Sequence, residues 1–263
     1  MVTDSIHART EQRILTTLAR RDVNIFIERV MKDQTGRPLM QAPIHRSWQR
    51  FIDHCRQQCK HAMIIAPWGH GKTIQVLGRA LWELSRNPNL RIKLVCCDDR
   101  LATDRVQTLA RYIEGDPDFQ AVFPDIRPDP AGSWAQQRLD VIRSAPLPDA
   151  SVEAKGILSS GIGGRTDLLI VDDPHDLRTG VLEPSRRQAV IETFHNVWLS
   201  RLEPTGQCIY IATVWHEEDL THVLAQNPSF GVLAQAISED YDGIVQATNL
   251  PTFTPPTVGS ALA

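Results

Sequence analysis

Eight consecutive residues, Ala66-Pro67-Trp68-Gly69-His70-Gly71-Lys72-Thr73, combine the residue types that a chain of phosphates needs from a protein. Glycines let backbone N–H groups close on an anion, and a helix beginning just after them adds its partial positive charge. A lysine followed by a hydroxyl residue supplies a point charge for the outer phosphates and an oxygen for Mg2+. The spacing assigns Lys72 to the β- and γ-phosphates and Thr73 to the metal, with Pro67, Trp68, Gly69, His70 and Gly71 as the cradle. His70 reads as a spacer or backbone contact, not a general base. One position departs from the GxxxxGK[ST] pattern, because its first glycine is Ala66 here. Much further along, the apolar run Leu168–Val171 ends in Asp172 and Asp173. Adjacent carboxylates on a buried strand are costly unless a cation or water meets them. Asp172 is therefore assigned to Mg2+ through its water shell, and Asp173 to orienting and deprotonating an attacking water. A third apolar run, Ile209–Ala212, ends in Thr213, which would lie beside the γ-phosphate and sense its loss. ATP and Mg2+ are the cofactors this set of residues implies.

Such residues need strands that end, and helices that begin, at the right places. Ala62–Ala66 reads as a short buried strand, and Lys72–Arg86 as a helix with Ile74, Leu77, Leu81 and Leu84 on one face. After the turn Asn87-Pro88-Asn89, a strand over Arg91–Cys97 and a helix over Arg100–Glu114 follow. The pattern weakens over 115–164, where prolines interrupt short β-like pieces such as Leu139-Asp140-Val141-Ile142. It resumes with the strands Leu168–Val171 and Cys208–Ala212, a helix over Arg186–Leu199, and another from Glu217. Upstream, the first thirty residues read as helix, Gly36-Arg37-Pro38 breaks it, and a second amphipathic helix runs from His45 to about Lys60. Apolar strands alternating with helices predict an α/β fold, with helices on both faces of a mostly parallel sheet and an N-terminal helical lead-in.

Composition excludes several other classes. With 263 residues, 42% hydrophobic and 22% charged, the chain is neither disordered, collagen-like nor a disulfide scaffold. The formal net charge of −3 conceals a division. Residues 1–111 hold 19 Lys/Arg against 10 Asp/Glu, and no Lys or Arg follows Arg201. A basic front suits a polyanionic partner, although solvated helix faces have the same composition. The five cysteines form no CxxC pair and read as reduced, mostly buried thiols, which argues against zinc. The N-terminus lacks a signal-peptide pattern, and no apolar segment has membrane-spanning length, so the chain reads as soluble and intracellular.

Four stretches carry a resemblance: APWGHGKT at 66–73, GGRTDLLIVDDP at 163–174, SRLEPTG at 200–206 and TVWHEEDL at 213–220. In this order and spacing the chain resembles the ATPase domain of the large terminase subunit of tailed bacteriophages, over roughly residues 20–250. TVWHEEDL is the most discriminating of the four, since generic P-loop ATPases lack it. The resemblance implies a P-loop NTPase fold of the ASCE or RecA-like kind. It also implies ATP hydrolysis coupled to translocation of double-stranded DNA, in a homo-oligomeric ring. A portal protein and a small terminase subunit would be partners, in the host cytoplasm and without a membrane. Thr213 would belong to the coupling motif, and Gln49, in Pro43-Ile44-His45-Arg46-Ser47-Trp48-Gln49, would read adenine. Arg165 is the first candidate for an arginine acting on a neighbouring subunit's site, and Arg201 the second. The implied division is a lead-in over 1–60, the ATPase domain over 61–250 and a flexible tail over 251–263, with the family's nuclease domain absent. This chain has Trp68 and Val214 where many terminases carry arginine, and Asp173 where many carry glutamate. Two alternatives remain open here: a superfamily-2-like helicase fragment, suggested by Asp172-Asp173-Pro174-His175, and a catalytically degenerate nucleotide-binding module acting by oligomerisation.

Overall fold

The chain alternates apolar strands with amphipathic helices, and the strands assemble into one nine-stranded sheet of order β3-β4-β5-β2-β6-β7-β1-β8-β9. The structure, a computed structural model, describes residues 2–159, 163–235, 245–250 and 253. Its strands are β1 (His61–Ile65), β2 (Ile92–Cys96), β3 (Trp134–Ala135), β4 (Arg138–Leu139), β5 (Val152–Gly156), β6 (Thr166–Asp172), β7 (Leu202–Ala212), β8 (Phe230–Gln235) and β9 (Val245–Thr248). The central run β5-β2-β6-β7-β1-β8 is parallel throughout, and the pairs at either edge are antiparallel. The helices are α1 (Val2–Ala19), α2 (Val23–Val30), α3 (Pro43–Gln57), α4 (Lys72–Arg86), α5 (Asp99–Gly115), α6 (Pro117–Val122), α7 (Pro184–Thr193) and α8 (Leu220–Ala225).

Strand side chains alternate between the faces of a sheet, and this parity divides the core in two. Ala62 and Ile64 of β1, Leu168 and Ile170 of β6, and Ile209 and Ile211 of β7 face one core with α2–α6. Met63, Leu169, Val171, Cys208 and Tyr210, from the same strands, face the other. There they meet Val190 of α7, Phe194 and Trp198 just beyond it, and Leu220 and Leu224 of α8. Helices thus cover both faces, as the sequence pattern requires.

The differences from the sequence reading lie at boundaries and in short elements. The lead-in helix is two helices: the chain turns at Arg20-Arg21, and the Asp22 carboxylate caps α2 by accepting from the N–H groups of Asn24 and Ile25. The helix expected over 186–199 begins at Pro184, widens into a π turn over Phe194–Trp198 and tightens to 3-10 geometry over Leu199–Arg201. That widened turn lets the Trp198 indole donate to the Ile157 carbonyl at 2.9 Å, a long-range contact that helical periodicity does not encode. β7 begins at Leu202, ahead of its apolar part, because Thr166 of β6 already pairs there. The weak 115–164 region holds α6 and the parallel strand β5, which has Val152 and Ala154 buried. Of the expected tail over 251–263, all but Phe253 lies outside the described residues.

Candidate functional site

β6, β7 and β1 are adjacent and parallel, so their carboxyl ends lie side by side. Ile65 is in register with Ala212, and Asp172 with Ile211. This register brings three segments far apart in sequence to one edge: the Ala66–Thr73 loop, Asp172-Asp173 and Thr213. In open α/β sheets, ligands sit at such carboxyl edges.

The loop is shaped by two left-handed glycines, Gly69 (φ +82°) and Gly71 (φ +67°), the latter placed just ahead of α4. Ala66 needs no such conformation. Its backbone N–H continues the ladder to the Ala212 carbonyl at 3.2 Å, so the missing first glycine leaves the turn intact. The Lys72 ammonium is buried and reaches back under the loop. It donates to the carbonyls of Ala66 and Pro67, both at 3.1 Å, and to Thr213 Oγ1 at 2.7 Å. Asp173 Oδ2 lies 3.7 Å from the same ammonium. His45 of α3 braces the loop: its Nδ1 accepts from the Ala42 N–H, which leaves Nε2 to donate to the His70 carbonyl at 3.1 Å. Burial holds the His45 imidazole below the usual histidine range, favouring the neutral ring that these two bonds require. The His70 ring turns back on the Trp68 carbonyl, its Nδ1 3.1 Å from that oxygen. Trp68 itself stands 85% exposed at the tip of the loop.

The two aspartates differ sharply. Asp172 is fully enclosed, and its Oδ2 accepts from the Thr73 hydroxyl at 2.9 Å. Burial, and then the charge of Asp173, push its carboxyl up to about 6, while Arg105 and Thr73 work in the opposite direction. A carboxylate this short of solvent, beside a hydroxyl at the start of α4, fits a hard cation that takes its remaining ligands from phosphates and water. Among the described residues no group of three or more His, Cys, Asp or Glu could hold a metal alone. Thr73 and Asp172 are the protein oxygens here that could hold such a cation. Asp173 is half-exposed with φ +45°, a left-handed position that aspartate tolerates. Its Oδ1 accepts from the Thr213 N–H at 2.8 Å, which fixes the carboxylate at the mouth of the loop.

Three further residues organise this edge. Arg105, on α5, sets its Nε 3.2 Å from Asp172 Oδ2; nothing in its local sequence marked it. Asp219, buried within TVWHEEDL, accepts from the N–H groups of Trp215 (2.9 Å), His216 (3.2 Å) and His222 (3.0 Å). Burial alone would raise its carboxyl, but these N–H groups outweigh burial and hold it below the usual range. Asp219 also caps α8, which is why that helix starts at Leu220 and not at Glu217. His175, after Asp173-Pro174, accepts from the Leu220 N–H at 3.1 Å and ties the same turn to β6.

Other predicted residues lie elsewhere. Gln49 is buried on α3, its amide nitrogen donating to the Gln75 carbonyl at 3.2 Å while its Oε1 has no partner. Arg165 and Arg201 are exposed just ahead of β6 and β7, at the edge opposite the loop. β6 alone spans seven residues, and at about 3.3 Å per residue neither guanidinium reaches its own chain's loop.

This arrangement defines a mixed α/β fold of a terminase-like kind, with a glycine-shaped loop at the carboxyl edge of a mostly parallel sheet. The particular likeness is to the crystal structure of the HK97 bacteriophage large terminase, with a TM-score of 0.57 and 18% identity, over 85% of this chain and 45% of that one. This chain therefore spans less than half the length of that terminase. No protein-family model matches the sequence, and no curated protein matches it. No helix among the described residues is long and apolar enough to cross a membrane.

Proposed function

We propose that this chain is the ATP-hydrolysing part of a terminase-type packaging motor, a Mg2+-dependent ATPase that drives double-stranded DNA into a viral procapsid. The observation that carries this reading is the meeting of Lys72, Thr73, Asp172, Asp173 and Thr213 at one sheet edge within a terminase-like fold. The ammonium of Lys72, now spent on two loop carbonyls and the Thr213 hydroxyl, exchanges them for oxygens of the β- and γ-phosphates. Thr73 and Asp172 would hold Mg2+, which would neutralise charge on those phosphates. Asp173, kept in place by the Thr213 N–H at Oδ1, orients the attacking water and takes its proton at Oδ2, the oxygen that faces Lys72. Thr213 contacts both Lys72 and Asp173, so loss of the γ-phosphate is felt at once in the turn that leads to α8.

The remaining parts of the reading follow from the same resemblance. The chain works as a homo-oligomeric ring in the host cytoplasm, with double-stranded DNA, a portal protein and a small terminase subunit as partners. Arg165, and after it Arg201, acts on a neighbour's site; their exposure at the opposite sheet edge supports a role in trans. Gln49 contacts adenine, a role supported by its buried, unpartnered Oε1. Residues 1–60 form the lead-in, 61–250 the ATPase unit and 251–263 a tail.

Phosphate release from ATP, measured with and without Mg2+ and DNA, tests the assignment. Lys72→Ala is expected to lower the rate at least ~100-fold, since one preorganised charge on a transferring phosphoryl group is worth that much. A wild-type protein that releases no phosphate, with DNA present and at concentrations that favour assembly, would overturn the reading.

A further inference from the structure

Recognition of a terminal phosphate by a guanidinium is the one element of the proposed chemistry that the loop itself lacks. Trp68, at the loop tip, is apolar and turned to solvent. Val214, beside Thr213, is also apolar and exposed. Arg165 and Arg201 stand at the far edge of the sheet. Arg178 and Arg186 are both engaged by Glu183. Arg105, by contrast, is bonded to the Asp172 carboxylate that also meets Thr73 at the start of α4.

α5 follows β2, and β2 lies next to β6 in the sheet, so the helix rises beside the acidic end of β6. From there Arg105 donates to Asp172 Oδ2, the same oxygen that accepts from the Thr73 hydroxyl. Among the described residues no other carboxylate pairs with it. Its side chain is 28% exposed, and of its nitrogens Nε is the one paired with the carboxylate. A cation between Thr73 and Asp172 would claim the oxygen that now holds Arg105. A guanidinium released there would be free to meet the terminal oxygens of a phosphate chain held by Lys72 at the same sheet edge.

Resting on the nucleotide-site reading above, we propose that Arg105 is the guanidinium with which this chain recognises the terminal phosphate of its own bound nucleoside triphosphate. In the nucleotide-free protein it stands as the counter-ion of Asp172. When the metal–nucleotide enters, it exchanges that carboxylate for the γ-phosphate. The consequence is selectivity for triphosphate over diphosphate within a single subunit, without an arginine from a neighbour.

The test is equilibrium binding, which needs no turnover. Dissociation constants for a non-hydrolysable ATP analogue and for ADP, both with Mg2+, are measured by calorimetry on wild type, Arg105→Ala and Arg105→Lys. Arg111→Ala, an exposed change on the same helix, is the control. Arg105→Ala is expected to weaken the analogue about 10- to 100-fold, the range for one charge-assisted contact, and to leave ADP within about twofold. Arg105→Lys should recover part of the loss, and Arg111→Ala should leave the ratio of the two constants unchanged. Equal weakening of both ligands by Arg105→Ala would make Arg105 a structural counter-ion only and overturn the proposal. So would no change in either ligand. If Arg105→Ala fails to melt cooperatively, Arg105→Lys decides: an analogue-to-ADP ratio of dissociation constants unchanged from wild type overturns the proposal, and a raised ratio supports it. A wild-type protein that binds neither nucleotide would overturn the nucleotide site itself, a failure distinct from that of Arg105.

Discussion

Asp172→Asn should make the nucleotide-free protein more stable near neutral pH. The Asp172 carboxyl, normally near 3.8, is pushed up to about 6 by burial and by the Asp173 charge. Because the folded-state value lies above the unfolded one, protonation favours folding. That contribution is complete below the unfolded value of 3.8 and is lost as pH rises through 6. Above it the protein carries a buried, ionised carboxylate at a cost of roughly 3 kcal/mol, from about two pH units at ~1.4 kcal/mol each. Asparagine removes the charge, keeps an oxygen to accept from the Thr73 hydroxyl, and weakens the pairing with Arg105, which trims the gain to about 1–3 kcal/mol. For a chain of this length each kcal/mol shifts Tm by roughly 2 °C, so the variant should melt about 2–6 °C higher at pH 8. The gap should shrink by about half at pH 5, where wild-type Asp172 is mostly protonated in the fold. Differential scanning fluorimetry in chelator, at both pH values, reads this directly. Added Mg2+ and nucleotide should then stabilise wild type but not the variant. A lower Tm for Asp172→Asn at pH 8, or a gap that ignores pH, would refute the reasoning.

Two other changes probe the supports of the site. Asp219→Ala strands the N–H groups of Trp215, His216 and His222 and uncaps α8. It should cost about 2–4 kcal/mol, seen as a lower denaturant midpoint with unchanged slope. His45→Ala removes the bond to the His70 carbonyl and loosens the loop without touching a proposed ligand group. Nucleotide affinity should fall about 3- to 10-fold, while circular dichroism at room temperature stays unchanged.

What was legible in the sequence was local. Lys72–Arg86 is the same helix in both readings, because its apolar residues recur at helical spacing and Gly71 marks its start. The ends of β6 and β7 were readable because each apolar run stops at a polar residue with a chemical use, and that of β1 because Pro67 and the glycines of the loop follow it. The lone first-glycine departure at Ala66 proved neutral for a reason visible only in the backbone: the residue still belongs to the β1–β7 ladder. Periodicity failed where an element is built by distant partners. β5 and the antiparallel edge strands lack a long apolar run, and the π turn over Phe194–Trp198 exists to seat Trp198 against Ile157.

The sequence by itself determined the kind of fold, through the alternation of strand and helix, and the residue types of the phosphate loop and acidic strand, through their spacing. Only the tertiary structure decided which side chains share a carboxylate. Strand order places β6 between β2 and β7, and β7 beside β1; the first adjacency brings Arg105 to Asp172 and the second Thr213 to Lys72, across long stretches of chain. Neither pairing leaves a periodic trace, because a salt bridge or a hydroxyl contact depends on where the chain returns in space.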